Sequence, residues 1–186
     1  MRPQKALDKQ VINGLTEVFC SKGYEGASLQ DLATASGLKK ASLYHRFPEG
    51  KKEMADAVLT HLNTFVQENV FDVLDDTNKK PEVRLKAALE SIGELYDGGR
   101  RTCVFRALSM EAGIELFGKQ IEAGMKQWIA KFEHIGLELK LSPKQANDYA
   151  LQTLIDIQGC LIVVRGLGNT DIFDKTLEAI SIRYLQ

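Results

Sequence analysis

The 186-residue sequence predicts an all-α protein, a three-helix helix-turn-helix unit followed by a larger helical body. Three observations carry this. Apolar residues recur three and four apart along most of the chain, the period of a helix buried on one side. No segment shows the strict alternation of a half-buried strand. Residues 26–54 read as two short helices joined by a tight turn and followed by the start of a third, with 1–50 as the first domain and 51–186 as the second.

Taken in order, residues 4–22 set Leu7, Val11, Leu15 and Phe19 on one stripe with Ile12 and Val18 beside it, and Gly23 ends that helix. Ser28 opens the next, with Asp31 three positions on as its capping-box partner. Leu32 and Ala33 face inward, and Gly37 occupies the turn, where a positive φ is needed. Leu38, Leu43 and Phe47 form the apolar back of the following helix. From Lys51 a long helix runs to about Leu74, its inner side Met54, Val58, Leu62, Phe65, Val66, Val70 and Val73. At ~1.5 Å per residue it reaches roughly 35 Å, enough to link two bodies. Asp75 to Pro81 is a polar break.

Pro81 to about Leu95 is amphipathic through Val83, Leu85, Ala88, Leu89 and Ile92, and residues 97–102 interrupt the pattern. A short apolar helix is expected from Cys103 to about Ile114, and a longer one from Glu115 to Leu139. Ser142, Pro143 and Gln145 form a strong start signal of cap, first-turn proline and capping-box glutamine. The helix they open carries Ala146, Ala150, Leu154, Ile157, Leu161 and Val164 until Gly166 and Gly168 stop it. A last helix after Thr170 aligns Ile172, Phe173, Leu177, Ile180 and Tyr184.

The net charge of −1 hides an asymmetry. Residues 1–54 hold nine Lys/Arg against six Asp/Glu, and the remainder fifteen against nineteen. The positive part coincides with the helix-turn-helix, and cationic contacts to phosphate supply most non-specific DNA affinity. Cys20, Cys103 and Cys160 show neither metal-ligand nor disulfide spacing, which points to a reducing, cytoplasmic setting. The N-terminus lacks a signal-like apolar core, and no uninterrupted apolar stretch reaches membrane-spanning length. No phosphate-binding glycine loop, nucleophile elbow or His-Glu-x-x-His run is present, and His45, His61 and His134 are scattered. An enzyme, a cofactor or a metal site is therefore not expected.

The front of the helix after Gly37 carries Lys39, Lys40, Ser42, Tyr44, His45 and Arg46, and such a rod fits the DNA major groove. Lys40 and Ser42 suit base edges, since lysine reaches guanine O6 and N7 and serine both donates and accepts. Tyr44 and His45 suit phosphates. Lys51, at a helix N-terminus, and the amides opened by Ser28 offer two further phosphate sites. Arg46 and Lys52 read equally as ordinary solvated charges. Arg2 and Lys5 form either a basic arm or a frayed end.

Gly37-Leu-Lys-Lys-Ala-Ser-Leu-Tyr-His-Arg-Phe47 resembles the recognition-helix signature of TetR-type transcriptional repressors. These commonly read Gly-Val-Ser-Lys-Gly-Thr-Leu-Tyr-His-His-Phe, after an Asp-Ile-Ala stretch matched here by Asp31-Leu32-Ala33. Phe19, Gly23, Tyr24 and Ser28 match the family's Phe-x-x-x-Gly-Tyr-x-x-x-(Ser/Thr) run. Lys39 replaces the usual N-cap serine, and Phe47-Pro-Glu-Gly-Lys51 is one residue longer than the commoner connection. The resemblance implies a homodimer, here through about 143–184, gripping a roughly palindromic double-stranded operator. It implies that Tyr44 and His45 serve as phosphate contacts. It also implies a pocket in the helical body for a small, partly hydrophobic inducer, for which Phe65, Tyr96, Phe105, Met110, Trp128 and Gln158 are candidates. The alternatives are a regulator of the same fold answering to a protein or to thiol chemistry, and a helical interaction module or enzyme.

Overall fold

A computed structural model describes residues 4–186, with side chains from Asp8 onward, so Arg2 and the side chains of Lys5 and Leu7 lie outside the described residues. All regular structure among the described residues is helical. The chain forms two compact units, one taking in the chain to Thr64 together with Cys103–Lys119, the other Phe65–Thr102 together with Gln120–Gln186.

The first unit is built on α1 (Gln4–Gly26), α2 (Leu29–Ser36), α3 (Lys40–Arg46) and most of α4 (Lys51–Val66). Val11, Leu15 and Phe19 of α1 are buried, as their four-residue spacing predicts. Gly23 departs from helical geometry at φ 73°, ψ 179°, which breaks α1 three residues before its end. The crossing of α1 and α2 depends on Gly14, where a Cβ would lie 2.2 Å from the carbonyl oxygen of Ala35. Leu32 and Ala33 of α2 are buried beneath this crossing. The unit exceeds the expected fifty-residue head because α7 (Val104–Leu108) and the first turns of α8 (Ala112–Glu138) belong to it. A Cβ on Gly23 would stand 3.3 Å from the carbonyl of Ala107, so the break in α1 lies against the end of α7.

In the second unit α4 continues through a π-helical turn (Gln67–Phe71) into α5 (Asp72–Asp75), and the long helix expected from Lys51 is realised with one widened turn. The Asn69 amide donates to the carbonyl of Phe65 there, at 2.9 Å. The unit is completed by α6 (Pro81–Leu95), the rest of α8, α9 (Pro143–Leu167) and α10 (Asp171–Leu185). Leu85, Ala88, Ile92, Phe132, Ile135, Ile157, Phe173, Ile180 and Tyr184 form its core. Arg84 of α6 is 2% exposed and is tolerated because its guanidinium donates to the carbonyl of Leu74 and to both carboxylate oxygens of Glu138. In return the arginine holds the Glu138 carboxyl below its usual range.

Two boundaries differ from expectation. The break between α7 and α8 falls at residues 109–111, before Ile114, because the Ser109 hydroxyl caps the Arg106 carbonyl and Glu111 takes φ 47°. Gly113 then packs so closely that a Cβ would stand 2.7 Å from the Leu108 carbonyl. Gly166 lies within α9, and Gly168 alone ends that helix, in the left-handed conformation at φ 66°.

The start of α9 is as predicted, with Ser142 and Gln145 capping each other's backbone amides and Pro143 in the first turn. By length and composition α9 is apolar enough to cross a membrane, with a few charges along it, and only a third of its most apolar stretch is buried. Ala146, Ala150, Ile157, Leu161 and Val164 fill the core. Leu151, Ile155 and Ile162 point away from it, about half exposed. Gly159 and Gly166 fall on that same outer side, and a Cβ on either would meet nothing within 4 Å. Ile182 and Leu185 of α10 are exposed as well.

Candidate nucleic-acid interface

The candidate interface comprises the start of α2, the whole of α3 and the start of α4. Ser28 caps α2 as the sequence predicts: its hydroxyl accepts from the Asp31 amide at 3.1 Å, and the Asp31 carboxylate accepts from the Ser28 amide at 3.2 Å. Gly37 closes α2 at φ 70°, with Leu38 N–H donating to the carbonyl of Ala33 at 3.1 Å. That left-handed residue turns the chain within three residues into α3.

Lys39 stands at the N-cap of α3 with no side-chain cap, leaving the first amides of the helix open. On the buried side of α3, Leu43 and Phe47 anchor it at 1% and 8% exposure. Lys40, Ser42, Tyr44 and His45 all lie on its exposed side. The Phe47 to Gly50 turn closes through a Gly50 N–H donating to the Phe47 carbonyl, at 2.9 Å, and Gly50 takes φ 72°. The Glu49 amide donates to Glu53 at 2.9 Å, which consumes one acidic group at the start of α4.

Three cations of this unit are held by carboxylates. Lys22 is bound to Asp31 at 2.7 Å, Lys52 to Asp56 at 2.8 Å and Arg46 to Asp8 at 2.5 Å. Lys39, Lys40 and His45 meet no protein partner among the described residues. Lys51 is half-buried, its Nζ 4.6 Å from the ring centroid of Tyr24 and 3.5 Å from the carbonyl oxygen of Glu25. Tyr24 in turn packs edge-on against Phe117 at 5.4 Å, and the Glu25 carboxylate accepts from the Ala112 amide at 3.1 Å. Tyr24, Glu25 and Asp8 were missed as site residues. The Gly23 break is the one signal that bears on the first two, because it redirects the chain that follows. No sequence signal joins Asp8 to Arg46, 38 positions away.

The six candidates for an inducer pocket divide between the units. Phe105 and Met110 belong to the first, where Phe105 is buried and Met110 is 60% exposed, on the surface. In the second, Trp128 packs edge-on to Phe71 and stacked on Phe132, as a core residue does. Phe65 is half-buried. Tyr96 and Gln158 are brought together, the glutamine amide donating to the phenol oxygen at 3.5 Å, with Phe173 edge-on to the tyrosine ring at 5.9 Å.

Residues 11–58 match the family model described as "Bacterial regulatory proteins, tetR family", a segment that holds α2, α3 and the first half of α4. Over 172 residues the chain is 25% identical to the HTH-type transcriptional repressor DhaR of Mycobacterium sp. (strain GP1), an alignment covering 89% of this chain and 85% of that protein. Residues 11–58 of this chain are thus a TetR-type helix-turn-helix segment. Over 65 residues it is 37% identical to IcaR of Staphylococcus aureus, a negative transcriptional regulator of the biofilm operon, with 33% of this chain and 34% of that one covered. The fold matches the regulatory protein TetR from Rhodobacter sphaeroides at a TM-score of 0.78 with 19% identity, covering 95% and 97% of the two chains. It also matches a cysteine mutant of the TetR family regulator CifR, solved with a 26-bp double-strand operator DNA, at a TM-score of 0.71 with 18% identity and coverage of 93% and 94%.

Lys22 and Ser28 together push the Asp31 carboxyl down from its ordinary 3.8 to about 2. A depressed folded-state value means that the ionised group favours the folded protein above the unfolded carboxyl's titration range and loses that effect as pH falls toward 2. Titration followed by carboxyl-carbon NMR should therefore find Asp31 still ionised at pH 3. In Lys22→Ala the midpoint should rise toward the ordinary value, and an unchanged midpoint would exclude the lysine as its cause.

Proposed function

We propose that this chain is a TetR-family regulator, a homodimeric, sequence-specific repressor acting in the cytoplasm and released from its operator by a small, partly hydrophobic ligand. One observation carries the DNA-binding part. Lys39, Lys40 and His45, which meet no protein partner among the described residues, stand together on the N-cap and exposed side of α3, a helix of seven residues whose other side is anchored by Leu43 and Phe47. Lys40 and Ser42 read base edges, while Lys39, Tyr44 and His45 contact the phosphates that border the groove. The amides at the start of α2 beside Ser28, and Lys51 at the start of α4, hold phosphates on either side. Lys51 is already held against the Tyr24 ring, so less side-chain entropy is lost on binding.

One α3 reads only a few base pairs, and a two-fold dimer supplies a second about one duplex turn away, roughly 34–36 Å. The outer side of α9, with Leu151, Ile155 and Ile162 flanking Gly159, supports pairing through residues 143–184. Such a surface buries apolar side chains and lets two helices approach closely at the glycine. The inducer reading has its best support at Tyr96 and Gln158, a polar pair in an otherwise apolar neighbourhood. Phe65, Trp128, Phe105 and Met110 remain secondary candidates. Bound ligand favours a form of the dimer whose two α3 helices no longer match successive major grooves, and it does so only through its differential affinity for the two forms.

In gel-shift titration against DNA upstream of its own gene, Lys40→Ala should cost about 1–3 kcal/mol and relax base preference, while Tyr44→Ala weakens all sequences alike. Unaltered binding by both variants would remove α3 from the interface. Ile162→Glu should turn the sedimenting dimer into monomer and abolish operator binding at the same protein concentration; a dimer that persists would place the pairing elsewhere. In a thermal-shift screen of metabolites, an inducer raises the melting temperature and, at the same concentration, frees the operator, with Gln158→Ala diminishing both effects. Should stabilising ligands leave the DNA complex intact, the release mechanism fails.

A further inference from the structure

Arg46 is the last residue of α3 and the one cation of that helix held by a carboxylate. Its Nη2 donates to Oδ1 of Asp8 on α1 at 2.5 Å, and the guanidinium carbon lies 5.9 Å from the centroid of the Phe47 ring. The two side chains are 35% and 45% exposed, so water and salt reach the pair and a phosphate competes with Asp8 for the same donor. Asp8 and Arg46 share one open recess with Leu38, Ser42 and His45. The carboxylate therefore stands among the groups assigned to DNA contact, a position where a negative charge otherwise opposes binding.

An unpaired arginine at this place would add a phosphate contact blind to sequence, strengthening every duplex alike and narrowing the margin between operator and bulk DNA. We propose that Asp8 is a specificity-determining residue, which keeps Arg46 from joining the phosphate contacts of the recognition helix. Asp8 touches no DNA in this arrangement and acts through Arg46. The inference rests on the DNA-binding reading above.

The test is the salt dependence of binding to a labelled duplex of random sequence, measured by fluorescence anisotropy on the full-length protein. Wild type, Asp8→Asn, Asp8→Glu, Arg46→Gln and the Asp8→Asn/Arg46→Gln double variant are compared, each checked for an unchanged melting transition. Released from its partner, Arg46 adds one phosphate contact per protomer. The slope of log affinity against log salt should then steepen by about 0.9 per protomer in Asp8→Asn. Asp8→Glu, Arg46→Gln and the double variant should keep the wild-type slope, and selectivity for operator over random DNA should fall in Asp8→Asn alone. If Asp8→Asn strengthens binding equally with and without Arg46, the aspartate acts by simple repulsion and the proposal is overturned. A flatter slope in Arg46→Gln alone would also overturn it, since Arg46 would then already reach DNA. If the wild type shows no salt-dependent affinity for any duplex, the DNA-binding reading falls, and this inference with it, an outcome distinct from the other two.

Discussion

Seven residues are too few to hold a helix in water, because the nucleating turn fixes several dihedrals for a single hydrogen bond. The α3 helix therefore exists only as far as its surroundings impose it. Leu43 and Phe47 bury its back, Gly37 turns the chain into it, and the hydrogen-bonded Phe47–Gly50 turn holds its end. Beneath it, the contact of α1 with α2 at Gly14 brings two backbones closer than any side chain permits. Every functional assignment in the first unit depends on that packing, since an unsupported α3 would present its cations in no fixed arrangement.

Charge in this unit is selective. A carboxylate near a DNA-facing surface costs affinity, yet the unit retains Asp8, Asp31 and Asp56, each paired with one cation. Those pairs are exposed and individually contribute little to stability. Their effect lies in deciding which cations remain available. Lys39 and Lys40 at the start of α3 stay unpaired, and Lys51 is held between an aromatic face and a carbonyl instead of a carboxylate, so its charge is oriented without being neutralised.

The second unit is organised around a helix with two apolar sides. The inner side of α9 closes the core with α10, and the outer side leaves Leu151, Ile155 and Ile162 half exposed next to two glycines that face open space. The charged residues of α9 also find partners within the unit: Asp156 accepts from Arg183, and Asp148 pairs with Lys144.

The sequence by itself determined the all-helical class, the caps at Ser28 and Ser142, the turn glycine Gly37, the inward stripes and the residues on the front of α3. These are local properties, set by the 3.6-residue period, by capping chemistry and by the steric freedom of glycine at positive φ. The tertiary structure alone decided that residues 103–119 join the first unit, that α8 begins after Glu111, and that Tyr24 and Asp8 stand beside Lys51 and Arg46. It also assigned Phe105 and Met110 to the first unit and the other pocket candidates to the second. Each of these joins, or parts, residues by long-range packing, and periodicity records only which side of a helix is buried, never which helix covers it.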